Sequence, residues 1–514
     1  MIPATAERFV PKDRGTDMAQ KTLLQAFHWY LPGDGYLWPA LAGAAADLAG
    51  MGITDVWLPP ASKGALGARS VGYDVYDLFD LGEFDQKGSV AGKYGDRAAL
   101  EAATHALRSH GLNVIHDVVF NHKIGADECE AVLVRRVNPA DRTEIDPEII
   151  EAQAYTRFTF PGRGGRYSEF IWDARCFTGI DRLEDPEETG IFKLVNDFGD
   201  DGWNVEVDTE LGNFDYLMGS DIEFRNKAVY EELMYWGRWL MGELPCDGFR
   251  LDAAKHIPAW FFRDWIARMR EEAGCDLFVV AEYWHPDVDV LRLYLDRVDN
   301  QLMLFDVALH HAFHRASKGG TDFDLRTLFD GTLVASVPER AVTLVSNHDT
   351  QPLQALETEV ESWFRPLAYA LILLRADGVP CVFHPDLYGA SYSDTGADGC
   401  EHTIDITAVE CLPALIRARQ RFAYGPQTDL FDSPNCIAFV RAGADEQPGC
   451  VVVLSNGEAA SVTADLGAEA AGVRFEDVLG HCPDVVTLDA AGCAAFPVAA
   501  RSVSVWVRSD RLEA

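Results

Sequence analysis

From residue 21 onward, short runs of apolar residues alternate with longer segments of helical period. Eight of the runs read as buried strands: residues 23–27 (LLQAF), 53–60 (ITDVWLPP), 112–120 (LNVIHDVVF), 246–252 (CDGFRLD), 277–283 (LFVVAEY), 301–306 (QLMLFD), 341–346 (AVTLVS) and 380–384 (PCVFH). They are continuous rather than alternating, as expected of strands covered on both faces. Between most pairs lies an amphipathic helix candidate, such as residues 38–52 and 96–111, the latter closing on Gly111 where a helix ends. Eight strands with intervening helices predict a (β/α)8 barrel.

Two intervals break this rhythm. More than 100 residues separate the third strand from the fourth, too many for a barrel loop, and residues 123–223 are predicted to form a small inserted domain. After a last helix at 411–425, the pattern turns to short strands such as CIAFVRAG, GCVVVLSNG and SVSVWVR. Residues 426–514 are therefore predicted as a C-terminal antiparallel β-sandwich, leaving 20–122 and 224–425 as the barrel.

Three of the runs end at a carboxylate: Asp252 in DGFRLDAAKH, Glu282 in LFVVAEYW and Asp349 in AVTLVSNHDT. The C-terminal edge of a parallel barrel is where catalytic side chains converge. One acid after a strand is an ordinary loop residue. Three such acids, flanked by Arg250, Lys255, His256, Trp284 and His348, form a candidate site. Two close carboxylates of unlike protonation are the minimum apparatus for breaking a glycosidic bond.

Composition narrows the partners. The 514 residues are 48% hydrophobic and 11% aromatic, which is globular, and carry a formal net charge of −37. With 10 Lys and 34 Arg against 81 acids, the chain is a poor match for nucleic-acid backbones or anionic membranes. A neutral polymer is not repelled by such a surface. Eleven cysteines lie scattered from Cys129 to Cys493 with no C-x-x-C pair, which fits free thiols in a reducing compartment. The first twenty residues lack the apolar core of a secretion signal, so a cytoplasmic, monomeric enzyme is expected. The longest uncharged apolar stretches, such as 366–374, are too short to span a bilayer.

The chain resembles the α-amylase family of glycoside hydrolases, in particular its bacterial liquefying and intracellular branch. The resemblance runs over about 20–430. It is carried by LLQAFHWYLPGDG (23–35), GITDVWLPPASKG (52–64), VGYDVYDLFDLGEFDQKGSV (71–90), DVVFNHKIGAD (117–127), GNFDYLMGSDIEF (212–224), DGFRLDAAKHI, VVAEYW and SNHDTQP. It implies a retaining α-1,4-glucan hydrolase with Asp252 as nucleophile, Glu282 as acid/base and Asp349 as the third carboxylate. Arg250 is expected to keep Asp252 ionised, and neighbouring carboxylates with burial beside Trp284 are expected to tune Glu282. Tyr73, His122, Lys255, Trp284, His348 and Gln351 are the implied substrate contacts, with Tyr73 beneath the sugar, whereas Trp57 and Phe305 are read as core.

The resemblance also implies one Ca²⁺ site at the junction of barrel and insert, from Asn121, Asp215, Asp221 and the His256 carbonyl. Positions matching a neighbouring cation cluster of the liquefying relatives are Thr178, Asn204, Glu223 and Arg225, and an arginine there argues against that cluster. Other departures are His28 in place of an acid, Ser346 before the NHD triplet, and His384-Pro385-Asp386 after the eighth strand. His310, His311 and His314 have zinc-like spacing but no H-E-x-x-H, and GRGGRYS (162–168) lacks the strand and Lys-Ser/Thr of a phosphate loop. An exo-acting maltooligosaccharide-forming amylase, a transglycosylase and a non-catalytic glucan-binding relative remain as alternatives.

Overall fold

The computed structural model describes residues 20–195, 197–198, 202–444 and 446–512. The N-terminal stretch read above for a leader lies almost wholly outside them.

Eight parallel strands close into a barrel. In chain order they are β1 (Leu23–Gln25), β2 (Asp55–Trp57), β3 (Asn113–Val118), β4 (Gly248–Leu251), β5 (Phe278–Ala281), β6 (Met303–Phe305), β7 (Ala341–Leu344) and β8 (Val379–Phe383). Each pairs with its sequence neighbour, and β8 pairs back onto β1 through Leu23 opposite Cys381. All eight runs predicted as strands are barrel strands; seven are shorter than the apolar runs that contain them, and β8 is shifted back by one residue. The residues left over continue the apolar runs into the loops at the strand ends.

Eight helices cover the barrel: α1 (Leu37–Met51), α2 (Arg97–Ser109), α3 (Lys227–Glu243), α4 (Ala259–Ala273), α5 (Val288–Arg297), α6 (Val307–Gly319), α7 (Arg365–Leu374) and α8 (Leu412–Phe422). Their ends follow local chemistry. Asp96 caps α2 by accepting from Ala99 N, and Gly52 closes α1 in the left-handed conformation at φ 111°. Asp306, fully buried after β6, accepts from the backbone N of Leu309, Leu333 and Val334, joining α6 to the loop before β7. The helix α7 is buried almost all round because the C-terminal sheet packs on its outer side.

Between β3 and α3 lies a six-stranded antiparallel sheet, with strands His122–Lys123, Glu128–Val137, Ile150–Arg157, Phe177–Glu184, Glu187–Leu194 and Ser220–Ile222. Its first and last strands pair directly, Asp221 opposite His122, so the insert leaves and re-enters the barrel at one point. After α8 a second six-stranded antiparallel sheet forms, with a two-stranded ribbon (Ala460–Asp465 and Cys493–Val498) against it. In its strand Cys436–Arg441 every residue is buried. Ile437 and Phe439 join the barrel core, while Ala438 and Val440 join a separate core with Phe496 and Trp506. This is a sandwich packed on the barrel.

One element has no counterpart in the sequence reading. Ala390–Thr395 and Glu401–Ile406 form an antiparallel ribbon between β8 and α8. Its residues are mostly polar and exposed, so no apolar alternation announces it.

Candidate active site

The chemistry gathers where β3, β4, β5 and β7 end. Arg250, on β4, is fully buried and faces three carboxylates at once. One terminal nitrogen donates to Asp117 Oδ1 at 2.9 Å and to Asp252 Oδ1 at 2.7 Å, and the other donates to Glu282 Oε2 at 2.5 Å. Its guanidinium also lies over the rings of Trp57 at 5.1 Å and Tyr73 at 5.5 Å.

The backbone fixes the two carboxylates beyond the strand ends. Asp252 N donates to Val118 O at 3.0 Å, Glu282 N to Leu251 O at 2.9 Å, and Ala254 N to Glu282 O at 2.9 Å. Between them Ala253 adopts a left-handed conformation, φ 50° and ψ 37°, which costs a residue with a Cβ about 1–2 kcal/mol. That turn brings the Ala253 N–H to 3.4 Å from Glu282 Oε2. Asp349 is positioned differently. Asn347 Oδ1 accepts from the N–H groups of Asp349 and Thr350, both at 2.9 Å, making an Asx turn that leaves Asp349 partly open to the cleft.

One guanidinium cannot neutralise this cluster, and the acidities record it. Burial pushes the Asp252 carboxyl well above the usual range, Glu282, Asp117 and Asp349 push it further, and only Arg250 opposes. Asp349 is pushed up to about 7 by burial and by Glu282. The expected pairing of Arg250 with Asp252 is present and favours the ionised form, but the guanidinium's charge is divided among three carboxylates and burial opposes it.

Asp117 was missed as a site residue, although it opens the DVVFNH stretch. It is buried, and besides Arg250 it accepts from Trp57 Nε1 at 2.9 Å and Tyr73 OH at 2.8 Å. Burial pushes the Asp117 carboxyl up, while Arg250, Trp57 and Tyr73 favour its ionised form. Asp117 thus pins Tyr73 and Trp57 to the arginine, and Trp57, read as core, is a polar partner as well as packing. A buried strand aspartate was the available signal.

The aromatic floor is continuous. The Tyr73 ring stacks on His348 at 4.9 Å and 12°, and Trp29 lies parallel to Tyr73 at 5.9 Å and 1°. Burial and Arg250 hold the His348 imidazole neutral. Gln351 accepts from Trp29 N at 3.2 Å through its Oε1.

Other predicted contacts face inward. His122 Nε2 lies 2.8 Å from Tyr73 O and its Nδ1 3.4 Å from Asn121 Nδ2, so both ring nitrogens are engaged by protein. Lys255 Nζ donates to Glu210 at 2.8 Å and sits over Phe214 at 4.7 Å, tying β4 to the insert. Trp284 is half-exposed beside His310 at 5.7 Å. His310 itself bonds Val345 O and Thr358 Oγ1, both at 2.9 Å, which is a structural role and not a zinc ligand's.

Two departures from the family pattern meet. His28 stacks on His384 at 5.7 Å, and burial beside His384 and Lys93 brings His28 down to about 3. Asp386 is buried and held by Arg365 at 3.2 Å and Tyr369 OH at 2.7 Å, which keeps the eighth-strand loop in place. Nothing in the structure explains Ser346.

At the junction with the insert, Asn121, Asn204, Asp215 and Asp221 are all buried. Asn121 Nδ2 donates to Asp221 at 3.0 Å, and Asn204 N to Asp215 Oδ2 at 3.0 Å. The Oδ1 atoms of Asn121, Asn204 and Asp215 have no donor. Burial pushes Asp215 up to about 7 and Asp221 well above its usual range. Three orphaned hard oxygens among buried carboxylates fit Ca²⁺. The His256 imidazole bonds Phe214 O at 2.7 Å. Glu223 is different: Arg225 engages both its oxygens, at 2.7 and 2.6 Å.

This geometry has relatives. Residues 46–402 match the family profile described as the α-amylase catalytic domain, and 450–507 match the α-amylase C-terminal profile. The chain belongs to the α-amylase family. It is 59% identical over 490 residues to the cytoplasmic α-amylase of Escherichia coli K12, covering 95% of this chain and 99% of that protein. It is 43% identical to the glucan 1,4-α-maltohexaosidase of Bacillus sp. strain 707, over 95% of this chain and 92% of that one. The solved α-amylase from Geobacillus thermoleovorans shares the fold, with a TM-score of 0.64 at 18% identity over 96% of this chain and 98% of that one.

The charge-sharing at Arg250 has a measurable consequence. Asp117→Asn removes one repulsive charge and returns part of the guanidinium to Asp252, so Asp252 ionises at lower pH. The acid limb of kcat/KM should move down by about one pH unit. An unmoved limb, or one moved upward, contradicts the division of charge described here.

Proposed function

We propose that this α-amylase-family chain hydrolyses internal α-1,4-glucosidic bonds of starch- or glycogen-like glucans with retention of configuration. The observation that carries the reading is the pair Asp252 and Glu282, bridged by one guanidinium at adjacent strand ends. A shared guanidinium favours the close spacing of a retaining pair, about 5–5.5 Å, over the wider, water-filled gap of an inverting pair. Asp252 is the nucleophile: Arg250 and the turn at Ala253 hold its carboxylate beside the anomeric carbon. Glu282 protonates the leaving oxygen, then takes a proton from the water that releases the glycosyl ester. Asp349, open to the cleft, steadies positive charge at the anomeric carbon, and Tyr73 with His348 supplies the ring face and a neutral donor. Lys255, Trp284, His122 and Gln351 line or brace the substrate path.

Two similarities bear on the details. The cytoplasmic relative at 59% identity supports a cytoplasmic enzyme; stored or imported glucan as its substrate and a monomeric state are proposed with it. The maltohexaosidase at 43% favours one second reading, exo-type release of a single oligosaccharide. Early products on amylose separate them: a broad ladder is expected, and one dominant oligosaccharide would favour the second reading.

The orphaned oxygens of Asn121, Asn204 and Asp215, with Asp221 beside them, are the residues that would hold one Ca²⁺, the His256 carbonyl joining them by resemblance. The ion would cross-link the insert to the barrel. Glu223, occupied by Arg225, offers no free oxygen to a second ion, so a single site is proposed.

Asp252→Asn and Glu282→Gln should each lower kcat by several orders of magnitude with the melting temperature kept within a few degrees. The first product of the wild type should be the α-anomer. Near-normal turnover in either variant, or an initial β-anomer, defeats the mechanism.

For the metal, one calcium per chain is expected by elemental analysis. Chelation should remove about 2.7 kcal/mol of stability relative to a hundredfold excess of Ca²⁺ over Kd, and activity with it. Two or more tightly bound calcium ions, or unchanged stability after exhaustive chelation, would overturn this assignment.

A further inference from the structure

We infer that Gln25 is a positioning residue: it fixes which nitrogen of His348 carries the proton, and so makes His348 a hydrogen-bond donor toward the Asp349 carboxylate. The inference builds on the hydrolase reading above, but its geometry lies wholly within the protein.

Gln25 is the last residue of β1 and is fully buried. Its Nε2 lies 2.9 Å from His348 Nδ1, across 323 residues of sequence. The His348 ring has little freedom to turn. Tyr73 stacks on it at 4.9 Å, Phe27 lies at 5.2 Å, and Trp57 meets it edge-on at 5.8 Å. Each ring nitrogen therefore has one fixed outlook: Nδ1 faces Gln25, and Nε2 faces Asp349 Oδ2 at 3.4 Å.

A neutral imidazole carries one proton and must place it on one of the two nitrogens. Once Asp349 has lost its proton, its carboxylate can only accept. With the proton on Nδ1, the Nε2 lone pair would point at the Asp349 carboxylate and repel it. With the proton on Nε2, that nitrogen donates toward Asp349 and the cleft, and Nδ1 then needs a donor. The Gln25 amide supplies it.

Gln25 gains little for itself. Its Oε1 is buried without a partner, and turning the amide over would orphan the nitrogen instead. A buried unpaired amide atom costs about 1–3 kcal/mol, which a leucine at this position would avoid. The side chain is explained by what it does for His348. Because that proton points at Asp349 Oδ2, it orients the carboxylate that faces the developing positive charge, and its loss misplaces that carboxylate at a cost that falls on kcat.

The test reads the proton directly. In ¹⁵N-histidine-labelled, ligand-free protein, His348 is identified by the signal missing from His348→Gln. Above neutral pH, where Asp349 is ionised, the wild type should carry its proton on Nε2. In Gln25→Glu the new carboxylate accepts from Nδ1, so the proton should move there, and kcat should fall about 100-fold with KM little changed. Gln25→Leu, which adds no charge to the interior, should mix the tautomers and lower kcat about tenfold; it decides the matter should the glutamate variant fail to fold. On a His348→Gln background, whose amide donates without Gln25, neither change should lower kcat further.

A wild-type proton on Nδ1, the same tautomer in wild type and Gln25→Leu, or additive losses in the double variants would each overturn the role of Gln25. A wild type with the Nε2 proton but no action on α-glucans would instead defeat the hydrolase reading alone.

Discussion

The site rests on one buried guanidinium. Among the described residues Arg250 is the only cation bonded to Asp117, Asp252 and Glu282, and it is fully enclosed while bonded to all three. Removing an ion of this kind leaves uncompensated charges inside the barrel, a loss of several kcal/mol. Much of the neighbouring architecture serves that contact. The left-handed turn at Ala253 brings the ends of β4 and β5 onto it, and Asp117 ties Tyr73 and Trp57 to its flank. The sugar floor and the reacting carboxylates are thus parts of one hydrogen-bonded unit. A change at any member should be felt by the others, and double-variant energies inside it should not add.

The insert depends on a different constraint. It returns to the barrel beside the strand that leaves it, Asp221 opposite His122, so its orientation is decided over a few residues. There the buried oxygens of Asn121, Asn204 and Asp215 want a cation, while Lys255 reaches from just beyond β4 to Glu210. Lys193, buried near Glu223 and Asp215 and brought down to about 8 by burial, adds a resident positive charge to the same region. With the proposed ion, lysine and arginine would divide the neutralisation of this junction among them.

The barrel was legible because its strands are covered on both faces and read as unbroken apolar runs. Asp252, Glu282 and Asp349 were legible because each ends such a run. What stayed hidden depends on contacts between distant segments. Asp117 looks like any strand acid until Arg250, 133 residues later, lies beside it. Gln25 has no signature before His348 is placed against it. The ribbon at 390–406 is held by side chains, Tyr392 to Pro352 O and Tyr30 to Asp394, and carries no apolar alternation. The reading of His28 and His384 as separate departures also missed that they touch. Acidity was the other gap: proximity to Arg250 suggested a low value for Asp252, whereas burial and three neighbouring carboxylates decide it.

The central claim is that Arg250 holds Asp252 and Glu282 in unlike roles, the first as nucleophile. Trapping with a fluorinated α-maltosyl fluoride, followed by peptide mass mapping, tests it most directly. A glycosyl ester on Asp252 is the result this account requires, formed rapidly in the wild type and far more slowly in Arg250→Met. A stable ester on Glu282 or Asp349, or no covalent intermediate while the reagent is turned over, would contradict it.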